Sequence, residues 1–254
     1  MIEFHGVTAG YGREDVLHDV TFTVPDGSVT TLIGPNGCGK TTLLRAAAGQ
    51  LPLRSGDILL DGRPLASYDR KALARTAAFM PQVRSVPAIT VEALVSHGRF
   101  PHLGFSRRMC SDDREAVRQA MEATGVTEWA RRDLRELSGG ERQRVYIAMA
   151  LAQDTRGIFL DEPTTYLDPG RQFELLELIT ALNRRGKTVV MVLHDLAHAL
   201  RYSSQLLLLD RGRTVLCAPP EELFESGELE RVFGVRAHRA GADYYFTPGG
   251  ADEE

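Results

Sequence analysis

The sequence has no long apolar run, which argues against a chain that crosses a membrane by itself. No stretch of the 254 residues approaches the ~20 consecutive apolar residues that a membrane-spanning helix needs. Residues 1–5 contain no basic stretch followed by an apolar one, so no signal peptide is expected. If the protein serves a membrane process, we expect it to act from the cytoplasm through a partner.

Cysteine is scarce as well, and there is no excess of basic charge. The three cysteines, Cys38, Cys110 and Cys217, have neither metal-site nor disulfide-scaffold spacing, which fits a reducing compartment. The formal net charge is −4, and this value does not indicate a generally basic protein that binds nucleic acid. We therefore predict no nucleic-acid partner.

Hydrophobic patterning predicts strands near both ends of the chain and helices in between. Alternating or continuous apolar residues predict strands at 2–4, 20–24, 28–33, 56–62, 77–80, 158–160, 188–193, 206–209 and 214–216. Helix patterns follow residue 42 and cover 91–98, 111–124 (with Ser111 as the capping residue), 138–153 and 169–185. This order predicts an α/β fold with a mostly parallel core sheet covered by helices.

The stretch Gly-Pro-Asn-Gly-Cys-Gly-Lys-Thr-Thr at 34–42 stands between a predicted strand and a predicted helix. It fits G-x-x-x-x-G-K-[ST], in which glycines let backbone N–H groups turn towards phosphate while the helix N-terminus faces the same anion. Lys40 is expected to neutralise the β- and γ-phosphates, and the Thr41 hydroxyl to hold Mg²⁺. The predicted nucleotide contacts here are Gly34, Pro35, Asn36, Gly37, Cys38, Gly39, Lys40, Thr41 and Thr42.

Two acids, Asp161 and Glu162, follow the apolar strand predicted at 158–160. The carboxyl ends of parallel strands line the ligand crevice of an α/β sheet. Asp161 is therefore a candidate Mg²⁺ ligand, and Glu162 a candidate general base for the attacking water. A polar turn after a buried strand is the alternative, and it loses weight beside the phosphate-binding loop.

The stretch Leu-Ser-Gly-Gly-Glu at 137–141 suggests a second anion site, because two glycines at a helix start let phosphate approach backbone N–H groups. A capped helix with a solvated face is the simpler alternative. With this stretch the sequence resembles the ATP-binding cassette (ABC) ATPases, whose signature begins LSGG. The resemblance covers nearly the whole chain, with the motifs in the family's order, although Arg156 and Gly157 stand where the family's strand usually begins with apolar residues or proline.

The resemblance implies a P-loop NTPase fold in one nucleotide-binding domain, residues 1–254. Residues 1–84 and 153–254 would form a RecA-like core together with an N-terminal antiparallel β subdomain. Residues 85–152 would form a helical subdomain that carries the signature motif.

The resemblance also implies roles for four residues outside these motifs. Tyr11 matches the aromatic residue that stacks on adenine, although a lone tyrosine more often packs in a core. Gln82 matches the glutamine that touches Mg²⁺ and the attacking water and senses the partner protein. Asp168 matches the acid that crosses to the other subunit, and His194 the histidine that contacts the γ-phosphate.

In this family Ser138, Gly139 and Gly140 face the ATP held by a second subunit. The resemblance therefore implies a head-to-tail homodimer that binds two ATP molecules, with Mg²⁺, between its subunits. Opening and closing of this dimer would follow from hydrolysis and phosphate release.

The use of the ATP is inferred from finer resemblances. The Gly-Arg-Phe-Pro-His stretch at 98–102 and the Asp-Glu-Pro-Thr-Thr-Tyr-Leu-Asp stretch at 161–168 are similar to cassettes of iron–siderophore, haem and cobalamin importers. They imply a peripheral subunit on the cytoplasmic face of the membrane, two permease partners and, indirectly, an extracytoplasmic binding protein. A soluble ATPase of a cytosolic assembly machine, such as an iron–sulfur cluster scaffold, is the alternative.

Residues 83–103 are the predicted contact with the permease. Their apolar members Val86, Ile89 and Phe100 are candidates for exposed docking residues or for core residues. The sequence does not identify the cargo, because recognition of the cargo lies in the permease and the binding protein.

Overall fold

The computed structural model describes residues 1–82, 86–104 and 108–249. Of the permease contact predicted at 83–103, residues 83–85 lie outside these ranges. The chain forms two compact units, residues 1–67 with 188–254 and residues 68–187. The subdomain boundaries predicted at 85 and 152 stay a prediction.

In the described residues the strands are β1 (Ile2–Tyr11), β2 (Glu14–Val24), β3 (Val29–Ile33), β4 (Ser55–Leu60), β5 (Arg63–Pro64), β6 (Ala77–Met80), β7 (Gly157–Leu160), β8 (Thr188–Val192), β9 (Gln205–Asp210), β10 (Arg213–Ala218), β11 (Val235–Ala240) and β12 (Asp243–Pro248). The helices are α1 (Lys40–Ala47), α2 (Arg70–Thr76), α3 (Val91–His97), α4 (Ser111–Thr124), α5 (Gly139–Ala152), α6 (Pro169–Arg184), α7 (Leu196–Tyr202), α8 (Pro220–Glu225) and α9 (Glu228–Phe233).

The first unit contains the predicted antiparallel β subdomain. Its strands follow the order β2-β1-β4-β5, and each neighbouring pair is antiparallel. One face of β1 is buried while the other is partly exposed, which explains its alternating sequence. Phe4 and Phe22 stack across β1 and β2 with ring centroids 4.2 Å apart.

The parallel strands of the first unit form its core. β3 is parallel to both β8 and β9, and β10 pairs antiparallel with β9. Every residue of β3 and β8 is buried, as expected for parallel strands that are covered on both faces. The predicted mostly parallel core sheet is therefore confirmed.

The second unit pairs β6 with β7 in parallel, so that Met80 and Leu160 end the two strands side by side. The N–H group of Asp161 donates to the carbonyl of Met80 at 3.0 Å and extends this pairing past the strand end. The helices α3, α4 and α5 occupy the predicted helical region. Their apolar faces are buried, for example at Val95, Val117 and Val145.

The structure corrects one detail and adds elements that the pattern did not predict. Ser111 is not the capping residue of α4 but its first helical residue. Cys110 precedes the helix, and its N–H group donates to the Asp113 carboxylate at 3.0 Å, because a carboxylate is a stronger acceptor than a hydroxyl. The unpredicted helices and strands are α2, α7, α8, α9, β5, β11 and β12.

Candidate nucleotide-binding site

The phosphate-binding loop joins the end of β3 to the start of α1 and depends on glycine. Gly34, Gly37 and Gly39 have φ values of +149°, +80° and +106°, which side chains disfavour. A Cβ atom on Gly34 would lie 2.1 Å from the Leu209 carbonyl oxygen, so no other residue fits there without a shift of the backbone. The loop therefore brings its backbone into contact with β9.

The side chain of Lys40 lies inside this loop. It is 6% exposed, and its Nζ donates to the carbonyls of Gly34 at 2.7 Å and Pro35 at 2.9 Å. Gly39 offers no side-chain cap to α1, whose first turn also contains Thr41 and Thr42. A buried ammonium group next to an uncapped helix N-terminus fits the phosphates of a nucleotide.

The loop cysteine is buried and neutral in character. Burial raises the pKa of the Cys38 thiol and outweighs the opposing effect of Lys40, whose Nζ lies 3.8 Å from the sulfur. Cys38 is 4% exposed. A thiol with a raised pKa is a weak nucleophile, so Cys38 acts here as a small apolar residue of the loop.

Two further predicted residues belong to the first unit. His194 is exposed just past β8, and the preceding Leu193 N–H group donates to the Leu32 carbonyl at 3.4 Å. Because β8 is parallel to β3, His194 and the phosphate-binding loop lie at the same edge of the sheet. Tyr11 ends β1 with 46% of its surface exposed.

In the second unit the structure brings Gln82 and Glu162 together, although 80 positions separate them. The Nε2 of Gln82 donates to Oε2 of Glu162 at 2.7 Å. Thr165 also donates to this oxygen, at 3.1 Å, and sequence reasoning missed its role. The one feature of the sequence that could have indicated this contact is that Thr165 stands three residues after Glu162. Glu162 has a φ of +52°, a strained backbone of the kind that functional sites retain.

Asp161 is the more buried of the two acids, with 1% of its surface exposed. The predicted Mg²⁺ ligands, Thr41, Gln82 and Asp161, offer hydroxyl, amide and carboxylate oxygens, which suit a hard cation. No group of three or more His, Cys, Asp or Glu residues within 1–82, 86–104 and 108–249 is arranged to hold a metal. Each of the three residues thus carries a kind of oxygen donor that Mg²⁺ accepts.

A cavity of about 640 Å³ lies in the second unit beside Glu162. Its lining combines the loop after β6, the loop after β7 and one side of α5, including Gln82, Glu162, Gly139, Arg142 and Tyr146. The signature helix and the candidate base therefore border the same space.

Ser138 caps α5, as the alternative of a capped helix with a solvated face predicts. The N–H group of Glu141 donates to the Ser138 hydroxyl at 3.4 Å, and the Ser138 N–H group donates to the Glu141 carboxylate at 2.7 Å. This backbone hydrogen bond lowers the pKa of Glu141, and the Ser138 hydroxyl adds to the effect. A capping role for Ser138 does not explain why glycine occupies the next two positions, Gly139 and Gly140.

The chain's own packing does not require glycine at the signature. A Cβ atom on Gly139 would meet nothing closer than the Tyr166 carbonyl at 3.8 Å. On Gly140 it would meet only the Arg171 side chain, at 3.3 Å. Neither residue has a positive φ. Neither the packing nor the backbone conformation of this chain therefore accounts for glycine at these two positions.

Asp168 caps α6, since the Arg171 N–H group donates to its Oδ1 at 3.1 Å and Pro169 fills the first helical position. The nearby Tyr166 is 88% exposed and has a φ of +66°. The loop before α6 thus presents an aromatic side chain to the surroundings.

Comparisons with known proteins agree with these features. A family model described as ABC transporter matches residues 17–165. The ferric enterobactin transport ATP-binding protein of Escherichia coli is 45% identical over 232 residues, covering 91% of this chain and 86% of that protein. The iron(3+)-hydroxamate import ATP-binding protein of Bacillus subtilis is 42% identical over 230 residues, covering 90% and 86%.

A bacterial ABC transporter cassette solved as a dimer has the same fold. It matches with a TM-score of 0.75 at 27% identity, covering 87% of this chain and 99% of that one. Across the residues that the structure describes, no helix combines the length and apolar character needed to cross a bilayer.

Proposed function

The chain belongs to the ABC transporter family, and we propose that it is the ATP-hydrolysing subunit of an importer for an iron–siderophore chelate. The observation that carries this proposal is the 45% identity with a ferric enterobactin transport ATP-binding protein over 91% of the chain. The relatives described above are transport and import proteins, which favours an importer over a cytosolic assembly machine.

In this proposal each motif has one task in ATP hydrolysis. Lys40 and the N-terminus of α1 bind the phosphates, and Tyr11 stacks on adenine. Thr41, Asp161 and Gln82 supply oxygen ligands for Mg²⁺. The buried position of Lys40 supports its role, because an ammonium group away from water interacts more strongly with phosphate.

Glu162 accepts the proton of the attacking water, and His194 contacts the γ-phosphate. The hydrogen bonds from Gln82 and Thr165 support this role, because they hold the Glu162 carboxylate in place through one of its oxygens. Mg²⁺, when bound, would neutralise the charge that develops on the transferred phosphoryl group.

Two copies of the chain close head to tail around two ATP molecules. Ser138, Gly139 and Gly140 of one copy approach the nucleotide of the other, and Asp168 extends to the other subunit. The absence of any packing requirement for glycine at 139 supports this arrangement, because phosphate approach to the backbone is then the remaining reason for it.

The dimer works at the cytoplasmic face of the membrane, bound to two permease subunits that take cargo from an extracytoplasmic binding protein. Among the predicted docking residues, Phe100 is 59% exposed whereas Val86 and Ile89 are half-buried. The exposed phenylalanine is therefore the strongest docking candidate of the three.

An affinity pull-down from detergent-solubilised source membranes tests the proposal. Glu162→Gln protein is used with ATP and Mg²⁺, because loss of the base should lower turnover by about 10²- to 10⁴-fold and retain the ATP-bound dimer. We expect recovery of a polytopic permease, whose gene neighbourhood and cargo can then be examined.

The matched control is Glu128→Gln, the same carboxylate-to-carboxamide exchange at an exposed position outside the motifs, which leaves Glu162 in place. It should turn over ATP like the wild type and retain no dimer. Recovery of soluble assembly proteins without a membrane protein would contradict the importer function. Normal turnover by Glu162→Gln would contradict the base assignment.

A further inference from the structure

The segment 98–103, which follows α3, is attached to the end of α5 through a buried ion pair. Arg99 and Asp113 expose 9% and 8% of their side chains, and Arg99 Nε donates to Asp113 Oδ1 at 2.9 Å. The Nη1 of Arg99 donates to the carbonyl of Ala152 at 2.9 Å. One guanidinium group therefore joins α4 to the last residue of α5.

Two other contacts reach the same end of α5. His102 Nε2 lies 2.8 Å from the carbonyl oxygen of Gln153. A Cβ atom on Gly98 would lie 2.2 Å from the Met149 carbonyl, so the backbone after α3 lies directly against α5. The last carbonyls of a helix have no partner within it, and here segment 98–103 supplies partners.

The helix α2 and the strand β6 complete the network. Lys71 donates to the carbonyl of Leu103 and Arg75 to that of Pro101, both at 2.9 Å. The Gln153 side-chain amide donates to the carbonyls of Ala74 and Ala77, and β6 begins at Ala77. The contacts thus extend from segment 98–103 towards Gln82, which follows β6.

Within this fixed segment one large side chain is exposed. Phe100 stacks on His97 with ring centroids 4.5 Å apart and is 59% exposed. The flanking Arg99 is buried and the carbonyl of Pro101 is hydrogen-bonded. An exposed aromatic side chain on a segment that hydrogen bonds hold in place is a suitable contact for a partner protein.

The hydrogen bonds explain how the buried charges are tolerated. Burial opposes the ionised form of Asp113, but hydrogen bonds from Cys110 and from Arg99 outweigh it and hold the pKa of the carboxyl below its usual value. A buried ion pair is rarely worth more for stability than apolar residues of the same volume. Its distinctive property is that it holds three elements in one geometry.

We propose that Arg99 is a positioning residue that couples the permease to ATP hydrolysis. This inference rests on the importer function proposed above. Arg99 and Asp113 hold segment 98–103 on the end of α5. A permease subunit that displaces Phe100 therefore displaces the whole of α5. The 14 residues of α5 span about 21 Å, and the signature motif stands at its other end. The hydrogen bonds from Gln153 to the carbonyls of Ala74 and Ala77 also connect this end of α5 to the start of β6, the strand that precedes Gln82.

The test compares basal ATPase activity of the isolated subunit with activity in the complex with the permease recovered in the pull-down. The double variant Arg99→Met with Asp113→Asn removes both charges and keeps an amide oxygen for the Cys110 N–H group. We expect the stimulated-to-basal ratio to fall by about threefold or more while basal turnover stays near the wild-type value. The conservative Arg99→Lys should give an intermediate ratio, and it carries the test if the double variant fails to fold.

The control removes an exposed ion pair on α4 through Glu115→Gln with Arg118→Gln, which should leave the ratio unchanged. An unchanged ratio in the Arg99 variants, or equal loss of basal and stimulated activity, would overturn the coupling role. If the pull-down recovers no membrane protein, the importer function itself fails, and with it the premise of the inference.

Discussion

The helices α1 and α5 both have glycine at their start, Gly39 as the residue before α1 and Gly139 as the first residue of α5, and both belong to motifs expected to contact phosphate. Their first turns are nevertheless built differently. At α1 no side chain caps the helix, Gly39 lies in the left-handed region and Lys40 is buried. At α5 a reciprocal pair, Ser138 and Glu141, caps the helix through two hydrogen bonds.

The two helix starts differ in whether the packing of the chain requires their glycines. The glycines of the α1 loop are required by the fold, since the backbone of β9 occupies the space of a Gly34 side chain. Gly139 is not required by the fold, and its surroundings are open. We interpret the first helix start as a complete phosphate site within one chain and the second as half of a site that a second copy completes.

The largest effect on this comparison is expected from Lys40→Ala. Loss of the buried ammonium group removes charge-assisted bonds to phosphate that contribute about 1.5–3 kcal/mol each, so ATP affinity should fall by about 100-fold. Isothermal titration calorimetry on the isolated subunit measures it. Arg142→Ala, in the first turn of α5, should leave this affinity unchanged, and a similar loss in both variants would refute the distinction.

A smaller effect is expected when alanine replaces one glycine of each helix start. Gly34→Ala should lower the free energy of unfolding by about 2–3 kcal/mol, because its methyl group meets the Leu209 carbonyl. Gly139→Ala should leave stability unchanged or slightly higher, since alanine favours a helix by up to about 1 kcal/mol. It should nevertheless slow ATP turnover by the dimer.

Urea denaturation of both variants measures the free energy of unfolding, and phosphate release measures ATP turnover. The two measurements together distinguish a loss of stability from a loss of activity. Full turnover by Gly139→Ala would show that the glycine serves no nucleotide. A stable Gly34→Ala protein would show that the loop can move away from β9.

The smallest effect is expected at the cap of α5. Ser138→Ala should cost about 1 kcal/mol of stability through loss of the cap. The matched change Ser55→Ala, at the exposed start of β4, serves as the reference for a removed hydroxyl. Thermal unfolding followed by circular dichroism measures both. No loss in Ser138→Ala would mean that the reciprocal bonds do not stabilise the helix.

Acid should weaken the same cap. Because folding lowers the pKa of Glu141, its contribution to stability is present above the unfolded pKa and is lost as the pH falls through the folded pKa. The difference in melting temperature between wild type and Glu141→Gln should therefore shrink as the pH falls below about 4. A difference independent of pH would contradict the role of the carboxylate.

The elements that carry the motifs were predictable from sequence because their signals are local. β3 is a run of β-forming residues and β7 a run of apolar ones, while the helix-forming residues after Thr42 and the capping pattern at Ser138 stand beside the motifs they serve. The C-terminal elements α7, α8, α9, β11 and β12 were not predicted. Their short lengths and mixed burial leave weak periodicity, for example in the alternately exposed and half-buried residues of β12.

By itself the sequence determined the α/β class, the order of the motifs and the family, because each follows from residues close together in the chain. Only the tertiary structure decided which distant side chains meet. The bond from Gln82 to Glu162 spans 80 positions, and the bond from Arg99 to the end of α5 spans 53. Hydrophobic periodicity reports which face of an element is buried, but it carries no information on which polar group lies opposite. That pairing arises when packing brings the elements together and each buried donor must find an acceptor.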